Sequence, residues 1–452
     1  MSTRTRPPIQ ATPAQPELEV ANVSRFHRSL IRLALATAFL SGLDVITNFG
    51  PLQVTHLILA VMFILTLLAN RKMFPRGIVL LFFVLMILSY ASVLVTQPTF
   101  GHGADRLLAS GVRIVLAVFM LAAYYSAYVL AGRSIQAFFR EYLKVALFFA
   151  VVGIVQELIF LVTHIDIFGF FPTGAKDFGS FLGISAVSVE PAFYACALLP
   201  AGAYYVVRFV TMLQISRAGI ITVAAILLST SSIGYIGLVA AAVIAVLTGV
   251  RLRRLWVLTL ILPVLALAVY WMLQQEFVQL RLQDTLTLIE IGATPSTGAN
   301  ISSYALAVNS AIAFQSFSDN LGFGAGFGLY NVVFEQYVVG YEVPSYRASL
   351  PGSGSGTSFF LRMLAELGIF GLAIMGGTVL CFVKAIRAGV NRTIAIACLA
   401  AFSIILLRMG EYFDNGVLFV VLMAFLLRRE AVANSRAVAG RLVPTSGTAL
   451  RG

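Results

Sequence analysis

Apolar residues in this chain neither alternate nor keep to one helical face. They come in near-continuous runs, parted by short stretches rich in Arg, Gly, Ser and Pro. A helix that crosses a bilayer needs about 20 mostly apolar residues. Twelve runs reach or approach that length: 29–48, 51–69, 77–96, 108–131, 145–164, 188–207, 218–232, 234–250, 255–274, 357–380, 393–410 and 414–430. The seventh and eighth are short and share the turn "STSSIGYIG". The pattern predicts an all-α polytopic membrane protein of about 12 transmembrane helices, with one large loop between helices 9 and 10.

The chain divides accordingly into a tail over 1–28, helices 1–9 over 29–274, the large loop over 275–356, helices 10–12 over 357–430 and a second tail over 431–452. The opening "MSTRTRPPIQATPAQPELEV" is polar and proline-rich, which predicts a disordered tail. No short apolar region with a small-residue cleavage site follows it directly, so the first run is expected to be an uncleaved anchor. Inside the large loop, "EFVQLRLQDTLTLIEI" and "NISSYALAVNSAIAFQSF" space their apolar residues as helices do, and both are expected to lie on the outer membrane face.

Composition agrees. The chain is 59% hydrophobic and 11% charged over 452 residues, against roughly a quarter charged in a soluble domain. With the N-terminus placed in the cytoplasm, 24 of the 31 Lys and Arg fall on the inner side and 7 face outward. Of the 19 acidic residues, 4 are inside and 15 outside. The net charge of +12 is thus an orientation signal of the positive-inside kind, with both ends inside, and excludes a nucleic-acid footprint. The 3 cysteines and 4 histidines share no metal-ligand spacing, so neither a metal nor a disulfide framework is expected.

The remaining charges are placed unevenly in depth. Asp44 lies near the outer end of the first run, Arg106 and Arg113 enter the fourth from outside, and Glu157 and His164 occupy the outer half of the fifth. Glu190 begins the sixth, Arg362 and Glu366 lie in the tenth, and Arg408 ends the eleventh beside Glu411 and Asp414. At 1.5 Å per residue, Arg362 and Glu366 sit roughly 8 and 14 Å below the start of a continuous tenth helix. Each such charge facing lipid costs on the order of 2.5–3.5 kcal/mol. They must pair, or line a shared polar cavity open to the outside. Arg362 with Glu366 (i, i+4) and Arg408 with Glu411 (i, i+3) have pairing spacing; the surplus of arginines favours a cavity for an anion, whose oxygens a guanidinium fork suits.

The stretch "GFGAGFGLYN" (322–331) sets four glycines at every second position. It has neither the spacing nor the βαβ frame of a dinucleotide fingerprint and lacks the lysine of a P-loop. Alternate glycines instead let the backbone turn and approach closely. Gly322, Gly324 and Gly326 are expected to act as a loop hinge.

"FSDNLGFGAGFGLYN", followed by "GTSFFLRMLAELGIFGL", resembles the C-terminal signature of the O-antigen ligase and polymerase (Wzy-type) superfamily. In that pattern a glycine-rich turn in a large periplasmic loop precedes a helix ending "L-x-x-L-x-E-x-G-x-x-G"; here Glu366, Gly368 and Gly371 fill the ending, while the turn lacks the family's proline. "SVEPAFYA", around Glu190 and Pro191, resembles a segment that starts a mid-chain helix in such polymerases. The motifs cover roughly 70 residues; elsewhere the likeness is one of topology. The chain departs at Thr357 and Ser358, where ligases carry a histidine, and at Ser302, Ser303 and "SSIG", where arginines are common. Those departures favour polymerase over ligase.

The resemblance implies a bacterial inner-membrane enzyme that polymerises polyprenyl-diphosphate-linked oligosaccharides at the periplasmic face, without nucleotide, metal or other cofactor. Its implied partners are the lipid-linked oligosaccharide, the bilayer, a chain-length regulator and a flippase. On this footing Arg113, Arg362 and Arg408 are expected at the diphosphate, with Arg106, Arg281 and Arg347 contributing from loops. Glu190 and Glu366 are the candidate bases, Glu190 preferred because it begins a helix. Tyr330, Tyr337 and Tyr346 are candidates for stacking on sugars. The alternatives are the ligase, which passes glycan to lipid A core, a lipid-oligosaccharide flippase or other transporter, and a non-catalytic scaffold.

Overall fold

The computed structural model describes residues 24–41, 44–47, 50–69, 76–169, 176–177, 181–249, 274, 279, 301–341, 352–413 and 416–442. Among them, fifteen α-helices carry the fold. They are α1 (Arg25–Ala36), α2 (Val54–Ala69), α3 (Arg76–Val95), α4 (Gln97–Phe100), α5 (Gly103–Leu130), α6 (Ile135–Thr163), α7 (Pro191–Met212), α8 (Arg217–Leu228) and α9 (Ser232–Gly249), then α10 (Ile301–Asp319), α11 (Tyr330–Tyr337), α12 (Phe359–Leu367), α13 (Ile369–Ala388), α14 (Arg392–Arg408) and α15 (Val417–Leu442). Two short antiparallel strand pairs interrupt them, β1 (Asp44–Thr47) with β2 (Gly50–Gln53) and β3 (Lys176–Asp177) with β4 (Leu182–Gly183).

This is an all-α membrane protein. Five helices, α3, α5, α6, α7 and α13, are long and apolar enough to cross a bilayer, and α2, α8 and α9 contain shorter apolar helices. Their outer faces are greasy in a way water would not tolerate. On α3, Leu80, Phe83, Ile87 and Leu94 form one exposed stripe at helical spacing, with Ile87 66% exposed. On α6, Phe148, Val155, Leu158 and Val162 do the same, Val162 at 82%. Apolar stripes this continuous need lipid against them.

Between helices, lipid offers no hydrophobic gain, so association rests on close packing of small residues. α7 packs on both α9 and α14. At the α7–α9 crossing, Gly237 lies directly against Leu199, and Gly234 against Ala195 and Ile226. α14 buries five small residues, Ala395, Ala397, Cys398, Ala400 and Ala401, among larger ones such as Ile396 and Phe402.

Three expectations are corrected. The first run is not one helix: α1 gives way to a 3-10 turn at Thr37–Phe39 and then to the β1–β2 pair. Its far end, Val45-Ile46-Thr47 before Asn48, Gly50 and Pro51, has strand-and-turn composition that outweighs its hydropathy. The tenth run is split at Gly368, which takes φ +58° and ends α12 before α13 begins. The tails are shorter than expected, because α1 starts at Arg25 and α15 continues to Leu442. α10 buries one face, with Tyr304, Val308, Ile312 and Ala313 in a second core beside Phe100, Leu329, Val333 and Leu361. Apart from the single positions 274 and 279, the ninth run and the "EFVQLRLQDTLTLIEI" segment fall outside the described residues.

Candidate functional site

α7 starts, α8 ends, α9 starts and α14 ends at one end of the bundle, where α10 and α12 join them. Two features meet there, a buried clamp and an open cavity.

The clamp is built on Glu366, which is wholly buried near the C-terminus of α12. Its Oε1 accepts from the Arg362 guanidinium (2.9 Å) and from the Tyr330 backbone N–H (3.0 Å). Its Oε2 accepts from the Gly328 N–H (2.5 Å) and from the Tyr412 hydroxyl. Burial, and the carboxylate beside it, push the Tyr412 phenol well above its ordinary range, so it stays protonated and donates. Arg362 is also committed: it donates to the Gly410 carbonyl (2.7 Å), pairs with Glu411 (2.9 Å) and stacks over the Tyr412 ring at 4.2 Å. The predicted Arg362–Glu366 pair is thus present and structural.

The glycine stretch lies against this helix end by backbone-to-backbone contact. The Ala325 N–H donates to the Ala365 carbonyl (3.0 Å), the Gly326 N–H to the Glu366 carbonyl (2.8 Å), and the Ile369 N–H to the Gly322 carbonyl (2.9 Å). Carbonyls that the break at Gly368 would orphan are satisfied by the loop. A methyl group at Gly324 would overlap the Glu366 carbonyl, which is why no larger residue fits. The other edge of the loop is tied to α3 and α5. Arg106 donates to the Ala325 carbonyl (2.6 Å) and to Thr96 Oγ1 (2.7 Å), with its guanidinium over Phe100. Phe327 N–H donates to Ser89 Oγ (2.8 Å), and the Arg113 side chain lies on Gly328 and reaches Asn331 Oδ1 (3.5 Å).

Several sequence-based roles change here. Gly322, Gly324 and Gly326 are not a hinge, because a segment bonded along both edges cannot swing. Glu366 has its oxygens filled by four donors and is a positioning residue, not a free base. Arg106 and Arg362 are buried and spent on protein carbonyls and carboxylates. Tyr330 is fully buried, its hydroxyl donating to Asn309 Oδ1 (2.6 Å), so it offers no ring to a sugar. Arg281, Arg347 and Tyr346 lie outside the described residues.

The cavity brings Glu190 and Arg408 together, whereas Arg113, expected with Arg408 at the diphosphate, stands at the glycine segment. It encloses about 340 Å³ and is lined by Glu190, Arg408, Glu411, Lys176 and a set of hydroxyls: Ser229, Thr230, Ser231, Ser302, Ser355 and Thr357. That volume is in the range of small-ligand sites, roughly 300–1,000 Å³. Glu190 is the N-cap residue of α7, half-buried, and its side chain makes no capping hydrogen bond, so the carboxylate is left to the cavity while Pro191 starts the helix. Arg408 closes α14 and donates to the Ser302 carbonyl (3.2 Å). An anion at a helix N-terminus and a cation at a C-terminus are each favoured by the peptide dipoles. Glu411 bridges cavity and clamp through Arg362. Of the positions at which the chain departs from the resembled family, Thr357, Ser302, Ser231 and Ser232 line this cavity, whereas Ser303 and Ser358 do not. Among the described residues no cluster of His, Cys, Asp or Glu could hold a metal ion.

The segment leading into Glu190 is stitched down by α6, a role the sequence did not reveal. Gln156 is fully buried and accepts from the Ser185 (3.3 Å) and Ala186 (2.8 Å) N–H groups while donating to Asp166 (2.8 Å). Glu157, read from sequence as a cavity charge, instead accepts from the Leu182 N–H at 3.1 and 3.2 Å. Ser188 Oγ donates to the Phe39 carbonyl (3.1 Å). Gln156→Ala strands two buried N–H groups and is expected to cost about 2–4 kcal/mol. Thermal melts of the detergent-purified protein check this; an unchanged midpoint would refute the anchoring role.

The chain matches no protein-family model, no curated protein and no solved structure.

Proposed function

We propose that this chain is a glycosyltransferase of the Wzy type, a twelve-helix inner-membrane polymerase with both ends in the cytoplasm. Its substrate is a polyprenyl-diphosphate-linked oligosaccharide repeat unit, and its working cavity opens to the periplasm. The observation that carries the reading is the shared cavity of Glu190 and Arg408, two charges far apart in the chain, walled by hydroxyls suited to sugar hydroxyls.

In this reading the Glu190 carboxylate takes the proton of the acceptor hydroxyl. The acceptor oxygen then forms the new bond to the donor's anomeric carbon as the bond from that carbon to the diphosphate breaks. Arg408, with Lys176 at the same wall, meets the charge that develops on the departing diphosphate. Arg113, Arg362, Arg106 and Glu366 support the cavity from the clamp, where they hold the glycine segment and α12. The proximity of Glu411, tied to Arg362, keeps α12 and the end of α14 in register with the cavity.

Glu190→Gln and Arg408→Ala are each expected to reduce chain extension by about 100-fold or more, with membrane insertion and yield unchanged. Surface glycans from a deletion strain carrying each variant, run on a gel, provide the readout: single-repeat material without a ladder is the expected result. Normal ladders from both variants overturn the assignment. Undecorated lipid A core with intact lipid-linked polymer would mean a ligase, and lipid-linked units trapped on the cytoplasmic face a flippase.

A further inference from the structure

A second cavity lies away from this end of the bundle. It encloses about 510 Å³ at the opposite end, between α3, α5 and α15, the end that the arginine distribution assigns to the cytoplasm. Three guanidiniums stand around its mouth: Arg76 at the start of α3, Arg133 just past α5, and Arg429 on α15. All three are exposed, and among the described residues no acidic side chain lines the cavity and none of the three has an ion-pair partner. Arg133 is held in place by its backbone, at φ +57° with its carbonyl accepting from the Tyr128 hydroxyl (2.7 Å). Glu430, the neighbour of Arg429, is turned to Asn391 instead (2.8 Å).

Behind the arginines the walls become apolar. Leu81, Leu121 and Phe425 line the cavity, and the same three residues also line an apolar slot between α3, α5, α13 and α15 that reaches Phe359 and Tyr412. Phe425 is 40% exposed toward the lipid-facing side. Cationic mouth and greasy slot share their walls.

We propose that this cavity binds an anionic phospholipid of the inner leaflet, its phosphate among Arg76, Arg133 and Arg429 and one acyl chain along Leu81, Leu121 and Phe425. Charge complementarity selects the headgroup: three cations without a counter-charge favour an anionic lipid over a zwitterionic one. The apolar slot selects a lipid over a free phosphate, which would leave that surface unfilled. The site is separate from the Glu190–Arg408 cavity and does not depend on the reaction assigned there.

The test is native mass spectrometry and thermal melting of the full chain purified in neutral detergent, titrated with phosphatidylglycerol, phosphatidylcholine or inorganic phosphate. Phosphatidylglycerol is expected to remain bound and raise the melting midpoint, while the other two do neither. The triple variant R76Q/R133Q/R429Q, changed only at exposed side chains, is expected to weaken phosphatidylglycerol binding on the order of a hundredfold. The single variants should each lose several-fold, and Arg387→Gln, at the same end but outside the cavity, should lose nothing. Equal binding by the triple variant overturns the proposal. So does an equal loss in Arg387→Gln, which would mean diffuse surface charge, or an equal response to inorganic phosphate, which would mean a free-anion site.

Discussion

Glu366→Ala is expected to leave little folded protein. The substitution removes one carboxylate but strands four donors: the Gly328 and Tyr330 N–H groups, the Arg362 guanidinium and the Tyr412 hydroxyl. Breaking a buried ion pair by deleting one partner costs about 3–5 kcal/mol, a large share of a total stability of roughly 5–15 kcal/mol. Arg362 would keep only Glu411 as a counter-charge, itself about a third exposed. Glu366→Gln should rescue poorly, because an amide supplies one acceptor oxygen where two are needed. Its NH2 would then face donors, either Gly328 and Tyr412 or Arg362 and Tyr330. Size-exclusion profiles and melting midpoints in detergent distinguish the two roles. A catalytic base would give a stable, inactive Glu366→Gln protein. A clamp gives an unstable one, and a Glu366→Ala protein that melts like wild type would refute it.

That distinction marks how far the residue pattern could be read. Hydropathy located α3 to within a residue at each end and found α5, α6 and α7, while missing the first five residues of α5, the first ten of α6 and the last five of α7; an apolar run long enough to span has few other ways to satisfy its backbone. It failed where the same composition served another geometry. Val45-Ile46-Thr47 reads as membrane and forms a strand, and the run 357–380 reads as one helix although Gly368 breaks it. In both places a turn residue decides, and a window average cannot see one residue. Depth alone does not separate a charge buried wholly against protein from one that also lines a cavity. Arg362 and Arg408 look alike in sequence; one is 4% exposed and stacked on Tyr412, the other lines the cavity beside Ser302. Glu190 was readable because its reason is local: a carboxylate before a helix-starting proline has no helical bond to make. Gln156 was not readable, because its partners at 185 and 186 are remote in sequence and use only their backbone.

Gly324→Ala is expected to be nearly as damaging as loss of the carboxylate, although it adds a single methyl. The nearest atoms to that methyl are the Glu366 carbonyl group and the Leu367 nitrogen, all backbone, so no side chain can swing aside to admit it. Nor can the two backbones separate without loss, since the flanking N–H groups of Ala325 and Gly326 bond the carbonyls of Ala365 and Glu366 at 3.0 and 2.8 Å. Overpacking by one group costs typically about 1–3 kcal/mol, and parting these segments adds about 1 kcal/mol for each hydrogen bond given up. The comparison that isolates the effect is Gly376→Ala on α13, where nothing lies within 4 Å of the added methyl. There the same change should be silent or stabilise the helix by about 0.5–1 kcal/mol. Melting midpoints should therefore move in opposite directions. A Gly324→Ala protein that melts with Gly376→Ala would mean that the glycine stretch swings free of α12 after all, and the hinge would have to be restored.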